Sequence, residues 1–297
     1  MARTLVTRLV LLAALALLVV SCGGPTDAQR LRMSGVHVVT PEEPVDAGPP
    51  PGTETRLLPQ HHVAGDTYRR VDETSLEVNT HLTTTRTERI VTVEAVDAEG
   101  IATFAEKITL HQRIVAGRVT APSREERDLD AATIRYHLTD LGLPVGELEI
   151  VGAGAYNESL LRWLGQTSFS DDGLDRRTDM SVGERRSGEL IVNRELEHNV
   201  RSDLRMQLTY TLAARSEREA RFEVDGTVSL TETQIGRYKV RGTGNVSGHW
   251  TVDPRDGFSG VSTAELRIYA SRRDVHNRPI SGTVTFVARG QTNITKR

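Results

Sequence analysis

The 297-residue chain contains one cysteine, Cys22. With one thiol no disulfide can close within the chain, so its body must be held by a conventional apolar core, which a chain of this length can supply. A thiolate zinc cluster is excluded for the same reason. Aromatic residues are scarce at 4%, so that core is built mostly from Val, Leu, Ile and Ala. Charge of one sign is also lacking: 37 basic residues stand against 40 acidic ones. A nucleic-acid partner calls for a basic field, and none is present. Long apolar runs are nearly absent. The exception is Leu9 to Val20, twelve residues without a charge. As a helix it rises about 18 Å, short of the ~30 Å needed to span a bilayer.

Signatures of chemistry are missing too. Neither Gly257-Phe258-Ser259-Gly260 nor Gly244-Asn245-Val246-Ser247-Gly248 fits the nucleophile elbow Gly-x-Ser-x-Gly. Gly152-Ala153-Gly154 lacks the third glycine of a phosphate-cradling loop. The nine histidines are scattered without an i,i+4 pair, and adjacent His61 and His62 point to opposite faces of an extended segment. We therefore expect no metal and no cofactor. Ser170-Asp171-Asp172-Gly173-Leu174-Asp175 offers oxygen ligands, but Gly173 stands where a calcium loop places its second ligand, so a solvated turn is the expectation. Acids alternate with arginines at Glu217, Arg218, Glu219 and Arg221. Cross-strand ion pairs on a wet sheet face are the common origin of such a pattern, although paired carboxylates for hydrolysis can be non-local.

What is present begins at the start of the chain. Arg3 and Arg8 precede the apolar run with no acid among them, which is the charge pattern of an export signal. The run ends in Val19-Val20-Ser21-Cys22. These four residues resemble the lipobox of bacterial lipoproteins. The resemblance covers residues 1–22 and implies cleavage before Cys22, acylation of its sulfur and amine with palmitate-type chains, and attachment to a membrane. Two or more chains, at about 0.8 kcal/mol per buried CH₂, hold a protein firmly. Gly23 in the next position resembles the outer-membrane class of these lipoproteins. Removal of residues 1–21 takes away two basic residues, leaving 35 against 40 acidic ones.

The domain reading follows: a signal peptide over 1–21, a Pro/Gly-rich tether over 22–53 and a β-rich body over 54–297. The tether contains Gly23-Gly24-Pro25, Pro41-Glu42-Glu43-Pro44 and Gly48-Pro49-Pro50-Pro51-Gly52. Proline removes backbone donors and glycine resists ordering, so a disordered spacer is expected.

From Arg56 onward apolar and polar residues alternate. Leu76, Val78 and Leu82 share parity, as do Val91, Val93 and Ala95, then Phe104, Ile108 and Leu110. Later runs are longer: Met206 to Leu212, Phe222 to Leu230, Trp250 and Val252, Leu266 to Ala270, and Val284 to Ala288. Period two with one polar face is the mark of antiparallel strands. Asp97 to Gly100, Asp253 to Gly257 and Asn277-Arg278-Pro279 carry turn chemistry. The fold class is therefore mainly β, with long antiparallel strands.

Gly65-Asp66 and Gly183-Glu184 lie 118 positions apart, as do Phe104 and Phe222. Two pseudo-repeated halves, 54–122 and 181–297 joined by 123–180, are one reading. Two meanders of similar length arising by chance are the other. The joining segment predicts a short helix from the N-cap Asn157 to a stop at Gly165, with Leu160, Leu161 and Leu164 as its apolar stripe. Ser123-Arg124-Glu125-Glu126 matches a capping box before a second helix. Alternation at Ile134, Tyr136 and Leu138 favours a hairpin across 132–152 instead. Trp163 and the leucines around it should need a sheet to pack on, which would give the halves a shared interface.

The function expected from these observations is a non-catalytic envelope lipoprotein, anchored at the outer membrane through Cys22, serving as a structural or binding module. The alternative is a carrier of a lipophilic ligand enclosed by the sheet. A hydrolase is third. A protein or lipophilic partner fits either of the first two readings, and the residues alone do not choose it.

Overall fold

The computed structural model describes residues 57–297, apart from 80, 125, 155–156, 170–173, 175–176, 197–199, 236–237 and 275, and apart from the side chains of 159, 163, 166–169, 191–203 and 233–238. Cys22 with Val19, Val20 and Ser21, the tether, most of the candidate calcium loop and the Trp163 side chain all lie outside the described residues.

Twelve strands make one antiparallel sheet. They are β1 (Thr67–Val78), β2 (His81–Val96), β3 (Ala102–Val115), the two-residue β4 (Arg118–Val119), β5 (Thr133–Leu138), β6 (Pro144–Val151), β7 (Arg185–Leu196), β8 (Val200–Arg215), β9 (Ala220–Ile235), β10 (Tyr238–Val252), β11 (Gly260–Asp274) and β12 (Pro279–Lys296). Their spatial order is β6-β5-β3-β2-β1-β12-β11-β10-β9-β8-β7, with β4 on the end of β3. Most consecutive strands are joined as hairpins, but the connection from β6 to β7 runs from one edge of the sheet to the other. The first and last strands close a seam: β12 pairs with β1 from Tyr68↔Lys296 to Val78↔Phe286. This seam makes the early and late strands one sheet.

The alternation in the sequence maps onto one buried and one wet face, with three departures. Leu82 is exposed although Leu76 and Val78 are buried. Asn79 takes a left-handed φ of 55° in the turn between them, and parity does not carry across a turn. Ala95 is exposed and Leu110 only half-buried, because register shifts fall between Val93 and Ala95 and at the Glu88/Arg89 pairings with β3. A bulge adds one residue and turns every later side chain over.

The entrances to β1 and β7 share one construction. The amide of Gly65 donates to Val93 O at 2.8 Å and that of Gly183 to Leu212 O at 2.8 Å. Asp66 O accepts from Val93 N, and Glu184 O from Leu212 N. Each acid also caps its own turn, Asp66 Oδ2 on Val63 N and Glu184 Oε2 on Ser181 N. A bulge follows in each partner strand, at Val93/Ala95 and at Leu212/Ala214. Phe104 then stacks on Tyr136 in the neighbouring strand, as Phe222 stacks on Trp250.

In the joining segment the hairpin reading holds, since β5 and β6 pair from Thr133↔Val151 to Leu138↔Pro144. Ser123 N donates to Glu126 Oε2 at 2.7 Å, one half of a capping box, while Glu126 N donates to the Ser123 backbone carbonyl at 3.1 Å as in a turn. Only a 3-10 turn at Leu129–Ala131 follows it. The helix α1 spans Glu158–Phe169 and passes through Gly165 rather than stopping there. A Cβ at Gly165 would stand 2.4 Å from Leu148 Cδ1 and 2.8 Å from Ile134 Cγ2. The glycine is there so that the helix can lie against β5 and β6. Asn157 takes the cap position and Leu161 N donates to its carbonyl at 2.9 Å. Its side-chain amide instead reaches Arg127 O at 3.3 Å.

The apolar interior forms two clusters. One gathers Tyr68, Val91, Val93, Phe104, Ile134, Tyr136, Ile294 and the helix residues Leu161 and Leu164. The other gathers the inward residues of β8 to β11 with Leu76, Val78, Phe286 and Ala288. The joining segment contributes to both, its helix to the first cluster and Leu174 and Met180 to the second.

Candidate functional site

Three arrangements carry the polar side chains that could do work. The first lies inside. Between the two apolar clusters the inward positions of β1, β2, β3 and β12 are polar: Arg70, Asp72, Thr74, Thr87, Arg89, Glu106 and Thr292 are all buried. Asp72 receives Arg70 Nε at 3.1 and 3.2 Å and the Thr292 hydroxyl at 2.7 Å. Arg89 is paired with Glu106, lies 3.6 Å from Asp72, and donates to Leu164 O of α1 at 3.1 Å. The Tyr136 hydroxyl donates to the other oxygen of Glu106 at 3.3 Å. Two cations and two anions thus neutralise one another out of contact with water. Burial opposes the charge on Arg89, but Glu106 and Asp72 outweigh it and raise the guanidinium above its ordinary value. Burial and then Glu106 hold the Tyr136 phenol far above its usual range, so it stays protonated and donates. The belt fixes strand register and ties the helix to the sheet. Its residues face one another rather than a cleft.

The second arrangement has the outline of a nucleophile, base and acid. Thr87 Oγ1 lies 2.9 Å from His111 Nδ1, and His111 Nε2 lies 3.8 Å from Glu126 Oε1. His111, the Ser123 amide and Arg113 hold Glu126 down to about 2 against a smaller effect of burial. Two features identify this as structure rather than catalysis. Thr87 is buried in mid-strand, with no room for a substrate carbonyl. The same Thr–His contact recurs at Thr103 with His137, 3.0 Å, and at Thr263 with His249, 3.0 Å. In all three the residues are directly opposed across neighbouring strands. A hydroxyl facing an imidazole is a favourable cross-strand pair.

The third arrangement is the wet face. An open groove of about 870 Å³ crosses five neighbouring strands, β9, β10, β11, β12 and β1. One row of directly opposed residues runs along it: Glu223, His249, Thr263, Gln291 and Glu73. Beside that row lie Asp225, Ser247, Glu265 and Arg289. Arg289 bridges Glu265 at 2.7 Å and Glu77 at 3.5 Å, and Arg267 reaches Glu265 at 2.9 Å. The two Arg289 pairs are the cross-strand ion pairs expected of alternating acids and arginines, whereas the Arg267–Glu265 pair lies within β11. Glu217, Arg218 and Glu219, however, sit in or beside the turn before β9 rather than on a strand face. A second groove of about 610 Å³ lies further along the same face, lined by Glu189, Arg205, Gln207, Asn245 and the exposed Tyr269.

His61 is exposed and His62 half-buried, the two faces expected of adjacent residues. Among the described residues no three His, Cys, Asp or Glu side chains are placed to hold a metal ion. No described helix is long and apolar enough to cross a membrane. The inner belt was hidden from sequence reading because Arg70, Asp72, Arg89 and Glu106 look like ordinary wet-face residues. Their only signal is parity: each shares the inward phase of Tyr68, Val91 or Phe104.

No protein-family model matches the chain, and no curated protein matches it. Among solved structures, an outer membrane channel from Pseudomonas putida F1 aligns with 80% of this chain and 97% of that one, at 10% identity and a TM-score of 0.20. A superposition that loose carries no argument about fold or activity.

Proposed function

We propose that this protein is a lipid-anchored component of the bacterial envelope whose body is a non-catalytic binding module, with the wet face of β9–β12 and β1 as its binding surface. The observation that carries this reading is the groove: a continuous polar surface five strands wide, backed by a sheet whose other face holds both apolar clusters. A rigid sheet presenting ordered hydrogen-bonding groups suits recognition of an extended polar partner. The anchor rests on the lipobox-like Val19-Val20-Ser21-Cys22 and the apolar run before it.

Two results are expected. With Cys22→Ala, radiolabelled palmitate no longer enters the protein, and the body moves from the detergent phase to the aqueous phase. Label persisting in that variant removes the anchor from the reading. Material co-purifying with the mature protein in mild detergent should be depleted at least tenfold, by mass spectrometry, when Glu73→Arg and Glu223→Arg are combined. Both residues lie on the wet face and leave the core untouched. An unchanged set of co-purifying species would show that the groove is not the binding surface.

A further inference from the structure

The first described residues of the body cross the sheet as a strap. Leu57 and Leu58, 1% and 2% exposed, sit in the second apolar cluster, and His62 packs against the first. Its ring meets Phe104 edge-on at 4.8 Å and Phe258 at 5.2 Å. Between these two anchors the strap is gripped by two turns. Gln60 N donates to Asp140 O at 2.5 Å and His61 N to Asp256 O at 2.9 Å. Both turns carry glycine where the strap passes. A Cβ at Gly142 would stand 2.7 Å from Gln60 Nε2, and one at Gly257 would stand 2.4 Å from Pro59 O. The seat is shaped to this segment.

The seat also contains opposing elements. Leu58 holds a left-handed φ of 44°, a region costly for leucine and doubly so before a proline. His62 Nε2 is bonded to Gln60 Oε1 at 3.0 Å, while its buried Nδ1 has no hydrogen-bond partner among the described residues. A neutral ring tolerates that wall of phenyl edges; an imidazolium would have an unmet donor in it.

We propose that residues 57–63 are an acid-released strap: protonation of His62 frees the segment from between the two turns and withdraws Leu57 and Leu58 from the interior. The strap lies between the proposed tether and the body, so its release lengthens the tether and uncovers apolar surface at its base. Burial pulls the His62 imidazole from its ordinary 6.5 down to about 4. Asp256 and Asp66 pull the other way, while His61 and Lys296 add to the lowering. The Tyr68 phenol nearby is raised by burial, then by Asp256 and Asp66, and so is neutral throughout. A ring whose docked value lies below its free value favours docking in full above pH 6.5 and loses that contribution as pH falls toward 4. Between pH 7.5 and pH 5.0 linkage gives a loss of docking of about 25-fold.

The test is hydrogen exchange on the mature full-length chain in detergent, corrected for the chemical exchange rate, at pH 7.5 and 5.0. The amides of Gln60 and His61 should lose about 25-fold of their protection at pH 5.0 while those of β10 keep theirs, and His62→Phe should hold the strap at both pH values. Equal protection of the wild-type strap at both pH values overturns the proposal. So does a His62→Phe protein that loses protection as the wild type does. Should that variant not fold, the His62 ring is followed by NMR in the wild type: a midpoint near 4 supports the strap, and one near 6.5 overturns it.

Discussion

Arg89→Met should lower the unfolding free energy by about 3–5 kcal/mol, because it leaves Glu106 and Asp72 with less positive charge in the interior. Arg89 is 0% exposed, so no water can take over its role. Of the two buried guanidiniums among the described residues only that of Arg70 then remains beside Asp72 and Glu106. Adding Glu106→Gln to Arg89→Met should recover much of the loss, because it removes the excess buried negative charge. Urea denaturation followed by circular dichroism at pH 7.5 is the measurement. A small loss for the single variant, unrelieved by Glu106→Gln, would mean that Arg89 contributes only packing.

Trp250→Ala should cost a similar 3–5 kcal/mol, for apolar reasons. The indole is 1% exposed, stacks on Phe222 at 4.3 Å and 10°, and meets Tyr210 edge-on at 5.6 Å. Its Nε1 has no hydrogen-bond partner among the described residues. Trp250→Phe therefore removes an unsatisfied buried donor along with some area and should cost below about 1.5 kcal/mol. The same variants ask whether the two clusters unfold together. β1 carries Tyr68 in one cluster and Leu76 and Val78 in the other, and β12 carries Ile294 in one and Phe286 and Ala288 in the other. Neither cluster can lose its strands without unzipping the β1–β12 seam. A single transition, shifted to lower denaturant by Trp250→Ala, is expected. Two separate transitions, with only one of them moved, would show that the polar belt divides the protein into independent units.

Much of this architecture is local, and local features are what a sequence states openly. The strand runs from Met206 to Ala288 and the turns at Asp97, Asp253 and Asn277 follow from alternation and from residues with special backbone preferences, so the mainly-β antiparallel fold could be read directly. The lipobox-like Val19-Val20-Ser21-Cys22 is a contiguous string of the same local kind, and the lipid attachment it implies belongs to the proposed function. Five features became visible only with the tertiary structure. The pairing of Tyr68 with Lys296 closes more than two hundred residues of chain and leaves no local mark. Bulges beside Ala95 and Leu110 reverse the faces because strand pairing, not alternation, decides where an extra residue is absorbed. Gly165 has the residue type of a helix stop, but its role is set by Leu148 and Ile134 standing too close for a side chain. Arg70, Asp72, Arg89 and Glu106 have the composition of a wet face and are buried nonetheless, because charges on three neighbouring strands find partners only once those strands lie side by side. The polar groove is likewise a sum over five strands, each of which by itself shows only an ordinary exposed side.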